Sequence, residues 1–206
     1  SQQQLEKIWL PDYHAVIENQ PISGLAEAET SGLTWNPQTN TLFTVTGQQA
    51  MLVELSLSGE ILRSVDMQGF HDLEAVTVLG DGRFAVVEER PAKLSIFSLP
   101  AQASAVNAED VFSMSLGAAR AHNKGFEGIA WDELNQRLLL AKERDPLGLF
   151  SLPFTPDTDS KLSKHALQEL PSKHIFARDF SGLAIDPRTA HWLVLSDDSR
   201  MLLEMN

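Results

Sequence analysis

The 206 residues contain no cysteine, so disulfides, thiolate metal sites and a cysteine nucleophile are all excluded. No apolar run approaches the roughly 20 residues that a membrane-spanning helix needs. Basic residues are scarce: 16 Lys and Arg stand against 28 Asp and Glu, a formal charge of −12. So acidic a chain is a poor ligand for nucleic acid or an anionic lipid surface, and is compatible with cation binding. There is no Walker A loop, dinucleotide fingerprint or EF-hand loop. Ser31 and Ser181 each precede glycine, but neither sits in a G-x-S-x-G elbow, which argues against a nucleophilic serine. Low-complexity tracts are also missing, and 43% hydrophobic residues suffice for the core of one domain. The chain begins at Ser1 and not Met, so a targeting segment ahead of it is an open expectation.

What is present is a phrase used four times. Ser31-Gly32-Leu33-Thr34-Trp35 returns as Leu73-Glu74-Ala75-Val76-Thr77, as Phe126-Glu127-Gly128-Ile129-Ala130 and as Phe180-Ser181-Gly182-Leu183-Ala184. In register, Ser31, Glu74, Glu127 and Ser181 are equivalent, at intervals of 43 to 54 residues. That period belongs to repeat architectures. After each copy come a turn, a second apolar run, a short polar stretch and a third apolar run, as in Arg83 to Val87, Glu88-Glu89-Arg90 and Lys93 to Leu99. Turn signals such as Asn36-Pro37, Gly80-Asp81-Gly82 and Asp186-Pro187 separate the runs. Three short strands and a more variable fourth make an antiparallel blade, and blades in a circle make an all-β propeller.

The blades fall at 31–68, 73–117, 126–170 and, incomplete, 181–206. Tyr13 to Glu18 alternates with period two and is predicted as a strand of the closing blade, since closure hides sheet edges. Four repeats plus that strand predict at least one further blade, five in the complete ring, beyond this sequence. Ala101 to Glu109 reads as a short helix or a loop, and Lys164 to Leu170 as the fourth strand of blade three.

The first strand of each blade lines the central channel, and the loops between second and third strands share its rim. Ser31, Glu74, Glu127 and Ser181 should therefore meet Gln48, Glu88, Glu89, Arg90, Lys142, Glu143, Arg144, Asp197 and Asp198. Carboxylates facing each other across a narrow channel share a proton or hold a cation. Oxygen ligands without His or Cys select Ca²⁺ or Mg²⁺, with Ca²⁺ favoured and Glu74 and Glu127 as ligands. The alternative is internal pairing with Arg90, Lys142 and Arg144. His71 and His122 lie in loops on the same rim, where a solvated surface role is the simpler one. His174 is a weaker candidate. Trp35, Trp131 and Trp192 read as core packing.

With the repeats laid out, the chain resembles the SdiA-regulated family of bacterial proteins, which is similar to TolB-like and NHL-type propellers. The resemblance rests on Ser31 to Trp35 with Asn40 to Phe43, on Asp72-Leu73-Glu74 with Glu88-Glu89-Arg90, on Gly125 to Gly128 with Lys142-Glu143-Arg144, and on Ser181-Gly182 with Leu193 to Ser196. It implies a propeller on the periplasmic side of the inner membrane, behind an N-terminal anchor or signal, and no particular reaction. The expected activity is non-enzymatic binding of a small ligand or protein partner at the acidic rim, with Ca²⁺ in the channel. The competing expectation is a calcium-dependent esterase, lactonase or phosphatase using the same rim, an argument from fold.

Overall fold

The computed structural model describes residues 8–18, 20–25, 28–117, 125–144, 146–155, 162, 166–172 and 175–205. Blade one is the meander β1 (Thr30–Asn36), β2 (Thr41–Thr46), β3 (Met51–Leu55) and β4 (Ile61–Gln68). Blade two begins with β5 (Leu73–Val78), β6 (Phe84–Glu88) and β7 (Lys93–Phe97). The chain then crosses back as β8 (Ala105–Asn107), parallel to β4, before β9 (Phe112–Ser115) completes blade two. Blade three is β10 (Phe126–Asp132), β11 (Arg137–Lys142), β12 (Gly148–Pro153) and β13 (Gln168–Leu170). Blade four is β14 (Gly182–Ile185), β15 (Trp192–Ser196) and β16 (Met201–Met205). The innermost strands pack around one axis: β1 on β5, β5 on β10, β10 on β14, and β14 more sparingly on β1. This is an all-β propeller of four small sheets. Five blades are expected for the complete ring; the described residues form four.

The blades are held by what lies between them. Phe43, Val45, Leu52 and Val65 of blade one pack on Val76, Phe84 and Val86 of blade two, with Phe43 and Phe84 edge to face at 4.7 Å. A second cluster joins blade two to blade three through Val87, Leu94, Ile129 and Leu138, and a third joins blade three to blade four through Leu139, Leu149, Phe180 and Val194. Middle strands are covered on both faces, which is why β6 reads as an unbroken apolar run and is buried along its length. Each fully buried aliphatic side chain contributes about 1.5–3 kcal/mol of transfer free energy, so these seams carry the fold. The first hairpins of blades one, three and four repeat their chemistry. Asn36, Asp132 and Asp186 each accept a backbone N–H two or three residues on, from Gln38, Asn135 and Arg188.

Two sequence expectations need correction. Residues 13–18 form no strand, and Tyr13, Val16 and Ile17 are exposed. A period-two pattern supplies one apolar face but cannot make a ladder without a neighbouring edge. The leading segment instead reaches blade four through side chains: Glu204 of β16 accepts the N–H groups of Ile8 and Trp9, and Arg188 donates to the Tyr13 hydroxyl at 3.1 Å. Ala101 to Glu109 is neither one helix nor a plain loop: it supplies β8 and then enters a single 3-10 turn, Ala108–Asp110. The strand predicted over 164–170 is present as β13, with 164 and 165 outside the described residues.

Candidate functional site: an acidic channel mouth

The inner strands are bulged where the repeated phrase begins. In blade two Leu73 pairs with Glu88 and Ala75 with Val87, so Glu74 is an extra residue with no partner. In blade three Phe126 pairs with Lys142 and Gly128 with Ala141, so Glu127 is the extra residue. Blade one is irregular between Ser31 and Thr34. A bulge re-aims side chains and increases local twist, and here it turns two glutamates out of the ladder at equivalent places.

Around them stands a cluster of carboxyls. Carboxylate oxygens of Asp72, Glu74 and Glu89 all lie within 4.8 Å of one another. Ser31 Oγ donates to Glu74 Oε2 at 2.8 Å, joining blades one and two. Glu127 is hydrogen-bonded to Glu143 and feels the charges of Glu143, Glu74 and Glu89, which joins blades two and three. Glu89 and Glu143 are buried at 7% and 5% exposure, occupy equivalent positions after the second strands, and each carries an arginine on its outer side. Arg90 reaches Glu89 at 2.9 Å and Asp72 at 4.0 Å, while Arg144 reaches Glu143 at 2.6 Å and Asp198 at 3.0 Å. Gly125 N–H donates to Glu89 Oε1 at 3.2 Å.

The proton affinities follow from this crowding. Burial, then the charges of Glu143 and Glu74, push Glu127 from 4.5 up to about 8, and a carboxyl–carboxyl hydrogen bond to Glu143 holds the proton. Burial raises Glu74 as well, opposed by the Ser31 hydroxyl and reinforced by Asp72 and Glu89. Asp72 is raised by burial and then by Glu89, against the pull of Arg90. Arg90 pairs with Glu89 and Arg144 with Glu143, so internal pairing accounts for two of these acids.

Not every residue expected on this rim is there. Glu88 is turned away: its Oε1 accepts His71 N–H at 2.8 Å, and its Oε2 pairs with Lys93 at 2.7 Å. Adjacent residues on a strand face opposite ways, so only one of Glu88 and Glu89 can look into the channel. Ser181 caps blade four, its Oγ accepting Asp197 N–H at 3.0 Å, and Asp197 itself is exposed. Gln48 donates to Glu29 at 2.8 Å. Lys142 donates to the Pro146 carbonyl at 3.3 Å, pointing outward. His122 and His174 lie outside the described residues. Trp131 and Trp192 pack against core clusters as expected, whereas Trp35 is 49% exposed.

Asp72 is the functional candidate that the repeated phrase omits. It stands one residue before its strand with φ 52°, a left-handed conformation shared by Glu29 (φ 46°) at the equivalent place in blade one. Asp179, also one residue ahead of the repeated phrase, is buried and accepts from Ser196 Oγ and Asp198 N–H. An acid immediately before the repeat in three of four copies was the available signal. Inward of the acids, a cavity of about 280 Å³ runs along the axis between Gly32, Glu127, Ser181 and Leu195.

Four sheets round an axis, with an acidic mouth assembled from different blades, define a β-propeller with a channel-mouth site. Solved propeller-like structures share the shape at low identity. One chain of "Kuenenia stuttgartiensis Hydrazine Synthase" superposes with a TM-score of 0.53 at 13% identity, over 84% of this chain and 57% of its own. A chain of the nidogen/laminin complex does so with a TM-score of 0.56 at 11% identity, over 82% of this chain and 57% of its own. These likenesses show the fold alone, and this chain spans a little over half of either neighbour. The SdiA-regulated family description matches residues 5–206, and the chain belongs to that family.

Proposed function

We infer that this is a non-enzymatic cell-envelope propeller that binds a small ligand or protein partner at its acidic mouth, with a Ca²⁺ ion held there. The observation that carries the reading is the imbalance of the cluster: Asp72, Glu74, Glu89, Glu127 and Glu143 against the guanidiniums of Arg90 and Arg144. Oxygens within 4.8 Å of one another suit an ion that takes its ligands at about 2.3–2.6 Å. Such an ion would offset the mutual repulsion of these acids and present open coordination positions to an incoming oxygen ligand. The periplasmic side of the inner membrane is the location supported by the family resemblance. Hydrolysis has only fold likeness behind it.

Calorimetric titration of chelator-treated protein with Ca²⁺ tests the ion. The expected result is saturable heat, with binding lost in Glu74→Gln and Glu127→Gln. At a hundredfold excess over Kd the native state gains about 2.7 kcal/mol, and the melting temperature rises by several degrees. No heat and an unchanged melting temperature would overturn the calcium assignment.

A further inference from the structure

The opposite end of the channel carries a second pocket with different chemistry. Strands β1, β5, β10 and β14 run from the acidic mouth to Trp35, Val78, Trp131 and Ile185, which are equivalent by register. Four residues of strand separate Ser31 from Trp35 and Glu127 from Trp131, about 13 Å at the usual rise. These ends surround a cavity of about 510 Å³, a size ordinary for a small-molecule site. Its wall holds two indoles, Leu33, Leu183 and the rings of Pro37 and Pro187. Among the described residues its one charged lining residue is Glu133, and no lysine or arginine lines it.

The charged wall is built rather than incidental. Glu133 Oε2 accepts the Trp131 Nε1–H, and Gln136 donates to its other oxygen at 3.3 Å, so neutral donors orient the carboxylate. The carboxylate rests on Gly80, where a β-carbon would collide with Oε2. Phe154 fixes the Trp131 ring edge to face at 5.8 Å. Trp35 stands at the entrance, half exposed, its Nε1–H tied to Asn40 at 3.2 Å. Aromatic faces beside a fixed anion, with no competing cation among the described lining residues, select a positively charged organic group with an apolar body.

We propose that this pocket binds an alkylated ammonium ligand, with Trp35 and Trp131 against its methyl groups and Glu133 supplying the counter-charge. The site is independent of the acidic mouth, so it can hold or fail separately from the calcium reading. The test is calorimetric titration with choline and with its neutral carbon analogue 3,3-dimethylbutan-1-ol, in excess Ca²⁺ so that the mouth is not the point of binding. Choline should bind saturably and roughly tenfold or more tighter than the analogue. Trp35→Ala and Glu133→Gln should each weaken it about five- to tenfold, while Glu60→Gln, an exposed acid outside both the pocket and the mouth, leaves it unchanged. Trp35 and Glu133 are solvent-exposed, and Gln keeps an acceptor for the Trp131 N–H, so both variants retain the fold. No saturable binding, equal affinity for the neutral analogue, or undiminished binding in Glu133→Gln would overturn the assignment.

Discussion

Glu127 makes the stability of the metal-free protein depend on pH in a direction opposite to that of an ordinary salt-bridged carboxylate. Its folded-state value is raised from 4.5 to about 8 by burial and by Glu143 and Glu74. Between those limits the native chain holds a proton that the unfolded chain has released, so stability is complete below pH 4.5 and is lost as pH rises through 8. The slope is about 1.4 kcal/mol per pH unit where the difference is one full proton, or about 5 kcal/mol across the window. Solvent reaches the half-buried carboxyl and arginines stand nearby, which reduces the expected loss to roughly 2–3 kcal/mol. For a chain of this size that is about 5–10 °C of melting temperature. The assay is urea unfolding at steps from pH 5 to 9 in chelator, comparing wild type with Glu127→Gln. The amide imitates the protonated acid and cannot ionise, so the variant should lack this part of the fall, and the difference between the curves isolates Glu127 from the general repulsion of an acidic chain. Saturating Ca²⁺ should flatten the wild-type curve too, because the ion stabilises the ionised form. Parallel curves for wild type and Glu127→Gln would refute the shared proton.

Three other outcomes rest on single contacts. Gly125→Ala places a β-carbon against Glu89 Cγ, so Glu89 must swing out of the cluster; calorimetry should show Ca²⁺ affinity falling at least tenfold while the circular dichroism of the sheets persists. Glu88→Ala leaves Lys93 without its buried partner, and chemical denaturation should register a loss of about 3–5 kcal/mol with Ca²⁺ affinity unchanged, since Glu88 faces away from the mouth. Glu204→Ala removes the acceptor of Ile8 and Trp9 N–H and the partner of His191 at 2.8 Å; hydrogen exchange should speed at residues 8–13 and stay slow in β5 and β10.

The sheets were legible because burial on two faces forces long apolar runs, and four copies of one phrase fix the register between blades. The leading segment misled for a related reason: alternation in Tyr13 to Glu18 reports an apolar face, but a strand also needs an unpaired edge in reach, which no local pattern encodes. The strand β8 escaped because three residues carry too little periodicity, and its pairing with β4 is a long-range event. At the site, repetition pointed to Glu74 and Glu127, and strand alternation would have separated Glu89 from Glu88. Asp72 was hidden by its place one residue outside the repeat, where the left-handed backbone and not the ladder directs its side chain. Trp35 and Trp131 are equivalent in sequence yet differ in exposure, since β14 meets β1 less fully than β5 meets β10.

The crowding of the carboxyls is a consequence of the small residues beside them. Glu74 precedes Ala75, Glu127 precedes Gly128, and the serines at 31 and 181 precede Gly32 and Gly182. These small residues let the inner strands approach closely: a β-carbon on Gly128 would come within 3.0 Å of Leu183 Cβ, and one on Gly32 within 3.1 Å of Ala75 Cα. A wider axis would place the bulged glutamates farther apart, where solvent would screen them and each would ionise near its ordinary value. Narrowness at the axis and acidity at the mouth are therefore one property. The blades are packed tightly enough that the acids of two neighbouring repeats raise one another's proton affinity. At the equivalent position of blade one the Ser31 hydroxyl donates to Glu74 and adds no charge to that repulsion.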